Sequence, residues 1–411
     1  MNYTALNVTA TPQTDASIIN NDYRTYSPYP SAGFGVNNEI RIPIYNQDGY
    51  TYPGDSYLVL EGKLTKSVTP TGTEGTAFKD EHHQIVINGY AFLFSEIRYE
   101  LNGTVIDQTR NPGITGLLKG LCSFPVGSVH LGGHNGFADT KASWNYITGY
   151  FHVHIPLNHL LGFCEDFKHV LINIRQELVL VRANTNVNAL YSDNDDSLNL
   201  ELTSVRWRIR HVMVNDAQRL KLLEVLNTDP WLNINFTGWE LHEMPLLQTT
   251  TQHTWAIKTA PRLETPRYLF VAFQTARKAN IKKDMSIFDN IKLKDIKLYL
   301  NGMPYPYDNI NGDIVKGIRA PFYDLYTDFQ RSFYGKAPRP YLASMDDFFD
   351  RHFFVVIDCS KQPETIKSGS VDVRLEWLTA ENVAATTTAY CLILHDRFVQ
   401  YKPLTSAVQI L

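Results

Sequence analysis

The sequence predicts an all-β chain built as two tandem β-domains, and three observations lead there. Short runs of alternating or β-branched residues recur along most of the 411 positions, separated by turn signals. A strand-to-turn heptad, Ile97-Arg98-Tyr99-Glu100-Leu101-Asn102-Gly103, returns 199 residues later as Ile296-Lys297-Leu298-Tyr299-Leu300-Asn301-Gly302. The length, finally, exceeds one ordinary core and fits two.

Residues 1–35 are rich in Asn, Thr, Ser and Pro with little apolar periodicity, and read as an N-terminal arm. A first domain, 36–214, carries the strand-like runs "EIRIPIY", "SYLVLEGKL", "HQIVING", "FHVHIPL", "HVLINIRQELVLV" and "LNLELTSVRWRIRHVMV". Turns such as "QDG", "TPTGTEG", "LNG" and "VGSVHLGGHNG" divide them. A linker, 215–245, opens with "NDAQRLKLLEVLN", which reads as a short helix with Asn215 or Asp216 as N-cap. The stretch "TDPWLNINFTGWELHEMPLLQTTTQHTW" after it looks irregular. A second domain, 246–411, resumes the strand pattern at "RYLFVAFQTAR".

Four of the seven heptad positions are identical, and Arg98 faces Lys297. The same offset sets Gly113 on Gly312 and Ile174–Glu177 on Val373–Glu376. Nearby offsets pair "YLVLEGKL" at Tyr57 with "YLFVAFQT" at Tyr268, and "FHVHIPL" at Phe151 with "FFVVIDC" at Phe353. The matches are colinear, with shifts where loops fall. Asn-Gly tolerates the positive φ that a two-residue hairpin demands, so each heptad reads as a strand entering a reversal. Each domain has room for the eight strands of a jelly roll, and a sandwich of another topology fits the pattern as well.

Aromatic residues make up 12% of the chain and charged residues 19%, below the roughly 25% of ordinary soluble proteins, a balance that points to large buried or interfacial surfaces. The formal net charge is -4 and neither terminus carries a basic run, which argues against genome condensation by this chain and against a specific nucleic-acid site. No secretory leader is legible, and no apolar run approaches the roughly 18 residues of a membrane span, so a soluble, unprocessed chain is expected. The Asn-x-Thr sequons at Asn2, Asn7, Asn102 and Asn235 are then fortuitous. Cys122, Cys164, Cys359 and Cys391 lack the paired spacing of a zinc or redox site and read as buried free thiols.

The segment "FLFSEIRYELNGTVIDQTRNPGITGLLKG", Phe92–Gly120, resembles capsid-like proteins of Polinton and adintovirus type. The resemblance implies a double jelly roll, two jelly-roll barrels in tandem over residues 36–411 with a few short helices in loops and linker. It further implies a major capsid protein whose homotrimers form pseudo-hexagonal capsomers of an icosahedral shell around a DNA genome. Its partners would be other copies in the capsid lattice, penton proteins and minor capsid proteins. It would reside in the virion capsid after assembly in the host cytoplasm or nucleus. The resemblance carries over no catalytic, cofactor-binding or metal-binding residue and leaves membrane contact open.

Enzyme chemistry was weighed on the residues themselves. "DDFFD", Asp346–Asp350, has the form of a magnesium-binding motif of terpene synthases, but it leads into a strand-like run with no second metal motif, so solvated carboxylates on a loop or short helix are the better reading. Tandem β-barrels also include bicupins, and "FHVHIPLNH" would put His152 and His154 on one strand face as provisional metal ligands, with His159 nearby. No Glu follows at cupin spacing and "FFVVIDC" keeps neither histidine, which favours a structural or interfacial role. "EHHQ" (81–84) and "HLGGHNG" (130–136) read as loops. No nucleophile elbow is present. "RWRIRH" places Arg206, Arg208 and Arg210 on one strand face, which reads as a solvated face or subunit contact. A carbohydrate-binding sandwich is a third reading.

Overall fold

The computed structural model describes residues 17–45, 49–66, 83–124, 137, 143–145, 147–193, 198–257, 266–335, 344–362 and 371–411. The first half contributes β1 (Ile18–Tyr26), β2 (Glu39–Ile44), β3 (Tyr50–Lys66), β4 (His83–Ile85), β5 (Phe94–Leu101), β6 (Thr104–Arg110), β7 (Tyr150–Pro156), β8 (Gln176–Arg182), β9 (Leu190–Ser192) and β10 (Leu198–Val214). The second contributes β11 (Leu232–Met244), β12 (Gln252–Ile257), β13 (Pro266–Thr275), β14 (Leu293–Leu300), β15 (Met303–Tyr305), β16 (Phe354–Asp358), β17 (Val373–Thr379), β18 (Thr387–Tyr401) and β19 (Val408–Ile410). The α-helices among the described residues are α1 (Pro112–Ser123), α2 (Leu157–Leu160), α3 (Gly162–Asp166), α4 (Asp216–Thr228), α5 (Ala320–Tyr334) and α6 (Met345–Arg351).

The sheet orders are β1-β10-β3-β7 with β2-β8-β5-β6 in the first half, and β11-β18-β13-β16 with β12-β17-β14-β15 in the second. If the eight main strands of each half are lettered B to I in chain order, both halves read B-I-D-G over C-H-E-F. This is the jelly roll, made twice, with every pairing antiparallel. Facing sheets close on aromatic contacts: Tyr99 meets Trp207 edge-on at 5.5 Å in the first barrel, and Phe273 meets Trp377 at 5.6 Å in the second. One continuous apolar core spans both barrels.

The register shows how closely the two halves match. Thr25, Arg208, Tyr57 and Pro156 form one rung across B, I, D and G, and Trp239, Leu394, Tyr268 and Asp358 form its counterpart. The Tyr57/Tyr268 and Phe151/Phe353 matches therefore hold position by position. The repeated heptads are strands β5 and β14 running into the same E–F turn: φ is 47° at both Asn102 and Asn301, 82° at Gly103 and 83° at Gly302. The backbone N–H of Asn102 donates to Arg175 O at 2.9 Å, and that of Asn301 to Asp372 O at 3.0 Å. On the H strand the expected offset needs a correction. Leu101 pairs with Gln176 and Leu300 with Val373, so the equivalent of Gln176 is Val373, and the expected alignment slips by two residues while keeping each side chain on its own face.

A Cβ at Gly103 or Gly302 meets open space, so only the backbone conformation resists substitution. Gly103→Ala and Gly302→Ala are each expected to cost about 1 kcal/mol. Equal shifts of the two urea midpoints are the expected result; a loss at one turn alone would contradict their equivalence.

Two expected boundaries change. Residues 18–26, read as part of the arm, form β1 and pair with β10 from Ile18–Val214 to Tyr26–Trp207. Its outer edge is polar and exposed, which erased the apolar alternation that marks a strand. The linker region 215–245 does contain the expected helix, α4, whose N-terminus is capped by Asn215 Oδ1 accepting Gln218 N–H at 2.8 Å. Its second part is β11, the B strand of the second barrel, and β12 follows from the same irregular-looking stretch. Strand β11 buries residues on both faces, so its sequence shows no clean period of two.

Candidate assembly surfaces

The histidines do not converge. His152 and His154 do share the outer face of β7, with ring centroids 4.9 Å apart. The nearest carboxylate, Glu61, lies 3.3 Å from His152 Nε2 and is also bonded by Arg206. Burial, followed by the positive charge around it, lowers the pKa of His154. His159 sits elsewhere, on α2, fully enclosed between Phe124 and Phe137 at centroid distances of 5.3 and 5.2 Å. Burial pushes its pKa down to about 3, with Lys119 adding to the effect. Among the described residues no group of three or more His, Cys, Asp or Glu is placed to hold a metal.

"DDFFD" lies on α6, where Ser344 caps the first turn, Phe348 and Phe349 are buried, and Asp346 is exposed beside Arg319 at 3.4 Å. The arginines of "RWRIRH" do share the outer face of β10. Arg206 pairs with Glu61, Arg210 with Asp55 at 3.0 Å, and Arg208 stands over the Tyr23 ring at 4.9 Å. All four cysteines are free and buried. "HLGGHNG" and the Glu81-His82 half of "EHHQ" lie outside the described residues. No helix of the described residues is long and apolar enough to cross a membrane.

The most developed polar site is the junction between the barrels, where the F strand β6 and helices α1–α3 of the first barrel meet the B strand β11 of the second. Asp166 Oδ2 accepts the Thr237 N–H at 2.8 Å, so a carboxylate satisfies an edge-strand donor. Asn111 Nδ2 donates to Glu243 Oε1 at 2.7 Å, and Phe163 meets Phe236 at 5.7 Å. Lys119, buried and bonded to Glu165 at 2.6 Å, lies 5.4 Å from the Trp239 ring. Gly162 lets α3 approach, since a Cβ there would come within 1.8 Å of the Thr237 carbonyl. On β6, Asp107 accepts Phe163 N–H at 2.9 Å, and burial raises its pKa. The E–F turn adds Asn102 Nδ2 donating to Ser406 O at 2.8 Å, and Ile172 N–H donates to Tyr401 Oη at 3.2 Å. Sequence reasoning found none of these contacts, because partners tens to hundreds of residues apart leave no local signature.

Fold and junction together define a double jelly-roll chain whose barrels are fused side by side through a polar seam. The chain belongs to the double jelly roll-like domain family, whose model matches residues 84–399. No curated protein sequence matches it. Among solved structures it is similar to a chain of the Sputnik virophage determined by cryo-electron microscopy, with 10% identity, a TM-score of 0.67, and coverage of 99% of this chain and 91% of that one. It is also similar to the mavirus major capsid protein, with 10% identity, a TM-score of 0.57 and coverage of 98% and 92%. For the Faustovirus major capsid protein the values are 8%, 0.58, 96% and 92%. At such identities the likeness is one of fold.

Proposed function

We propose that this chain is the major capsid protein of a virus or virus-derived element of Polinton-like kind, forming homotrimers that tile an icosahedral shell around a DNA genome. The observation that carries the reading is the matched pair of barrels, equal in strand order and in rung. Three copies present six similar barrels, so a trimer fills a lattice position of near sixfold symmetry without six separate chains. We take the first barrel as residues 17–214, the second as 232–411, and α4 as the tether. The role is structural rather than catalytic. Partners are neighbouring capsomers, with penton and minor capsid proteins at the vertices and seams, and the protein resides in the virion after assembly in the host cell.

Light scattering behind size exclusion, followed by electron microscopy, tests this. Trimers that assemble into pseudo-hexagonal arrays or shells are the expected result. A chain that stays monomeric at every concentration, salt and pH tried would overturn it.

A further inference from the structure

The junction inside the chain has two surfaces, and each has an uncovered twin. On the first barrel the seam is the F side, where β6 and α1 are almost wholly buried. Its twin in the second barrel is β15 with the connection that follows, and there large apolar side chains stand in solvent: Met303 is 51% exposed, Tyr307 84%, Val315 58% and Ile318 46%. On the second barrel the seam is the B strand, where Trp239 and Phe236 are buried. Its twin is β1, exposed from Ile18 through Asp22 and again at Thr25. The rungs place Thr25 where Trp239 stands and Tyr23 where Thr237 stands.

We propose that the F side of the second barrel docks on the β1 edge of the first barrel of a second copy, repeating between chains the β6–β11 contact made within one. This rests on the capsomer reading and assigns its surfaces. The contact is head-to-tail, two unlike surfaces on each chain, and closes as a ring of three copies in which tethered and untethered junctions alternate. The second copy is favoured over an unrelated partner because the covered surface is already drawn inside the chain. Charge agrees: the β1 face offers Arg208, which makes no ion pair among the described residues, and the F side offers exposed Tyr307 and Asp308. The E–F turns extend the match. Asn102 reaches the segment after the I strand of the neighbouring barrel, at Ser406. Asn301 would meet the segment after β10, which is α4, where Leu220 is 62% and Leu223 42% exposed.

The head-to-tail geometry is tested by two variants. Met303→Asp with Tyr307→Asp spoils the F side, and Asn21→Lys with Thr25→Asp spoils the β1 edge. All four positions are exposed, so melting temperatures stay at wild type. Each variant alone is expected to be monomeric where the wild type is trimeric, with association weakened roughly tenfold or more. Mixed together they form dimers and no larger species, because each supplies the surface the other lacks. Hydrogen exchange on the unmodified chain gives a second measure, with β1 and residues 303–318 gaining protection in the trimer. Variants that remain trimeric, a mixture that stays monomeric, or a trimer protecting neither segment overturns the assignment while leaving the capsomer reading standing. A wild type that never leaves the monomer overturns the capsomer reading itself.

Discussion

Gly162→Ala is expected to lower the unfolding free energy by about 3 kcal/mol and to loosen the two barrels from each other. The added methyl would lie 1.8 Å from the Thr237 carbonyl oxygen, a backbone atom in a paired strand that cannot swing aside. To make room α3 must lift off β11. That also lengthens the Asp166–Thr237 hydrogen bond of 2.8 Å and strips a charged acceptor from an edge-strand N–H. Urea denaturation measures the loss. Limited proteolysis locates it, with faster cleavage between the barrels. A variant as stable as the wild type would mean that α3 is not seated on β11.

Acid is expected to weaken the fold steeply between pH 6.5 and 3, and His159 is the largest single reason. Both its ring nitrogens are buried without a hydrogen-bond partner, and its pKa in the fold is about 3. The unfolded chain therefore binds a proton here that the folded chain refuses. Stability from this group is complete above about pH 6.5 and declines as pH falls, by about 2 kcal/mol at pH 5. His211, pushed down to about 4 by burial, adds to the same trend. Asp107 acts with the opposite sign: its raised pKa means that ionising it costs the fold something at neutral pH, and acid removes that cost. His159→Phe keeps the ring between Phe124 and Phe137 and abolishes the titration. Stability measured across pH should then fall less steeply for the variant, and an unchanged slope would clear His159 of the effect.

The barrels were legible where a strand has one wet face. Strand β10 was read at its full length because its inward residues, Trp207 and Ile209 among them, alternate with arginines. The two Asn-Gly turns were legible because their chemistry is local. Strands β1 and β11 were missed for opposite reasons, one being exposed along its edge and the other buried on both faces. Helix α1 was missed because its glycines, Gly113, Gly116 and Gly120, lower helix propensity while allowing close packing against Phe92, Asn88 and Phe137. The run from His169 to Val181 was read as one strand, yet β8 begins only at Gln176. The seam itself had no sequence signature: Asp166 and Thr237 lie 71 residues apart, and nothing near either one predicts the other.

The tether α4 bears on how such a ring could be built. Each barrel is held to one neighbour by the chain itself, at an effective concentration of order millimolar whatever the dilution. Closing six barrels then takes an encounter of three bodies rather than six, so partial rings are fewer and shorter-lived. Because the two barrels are encoded separately, the covalently held seam is free to become polar and precise while the other seam remains breakable, and a lattice under construction could use that difference to discard misplaced subunits.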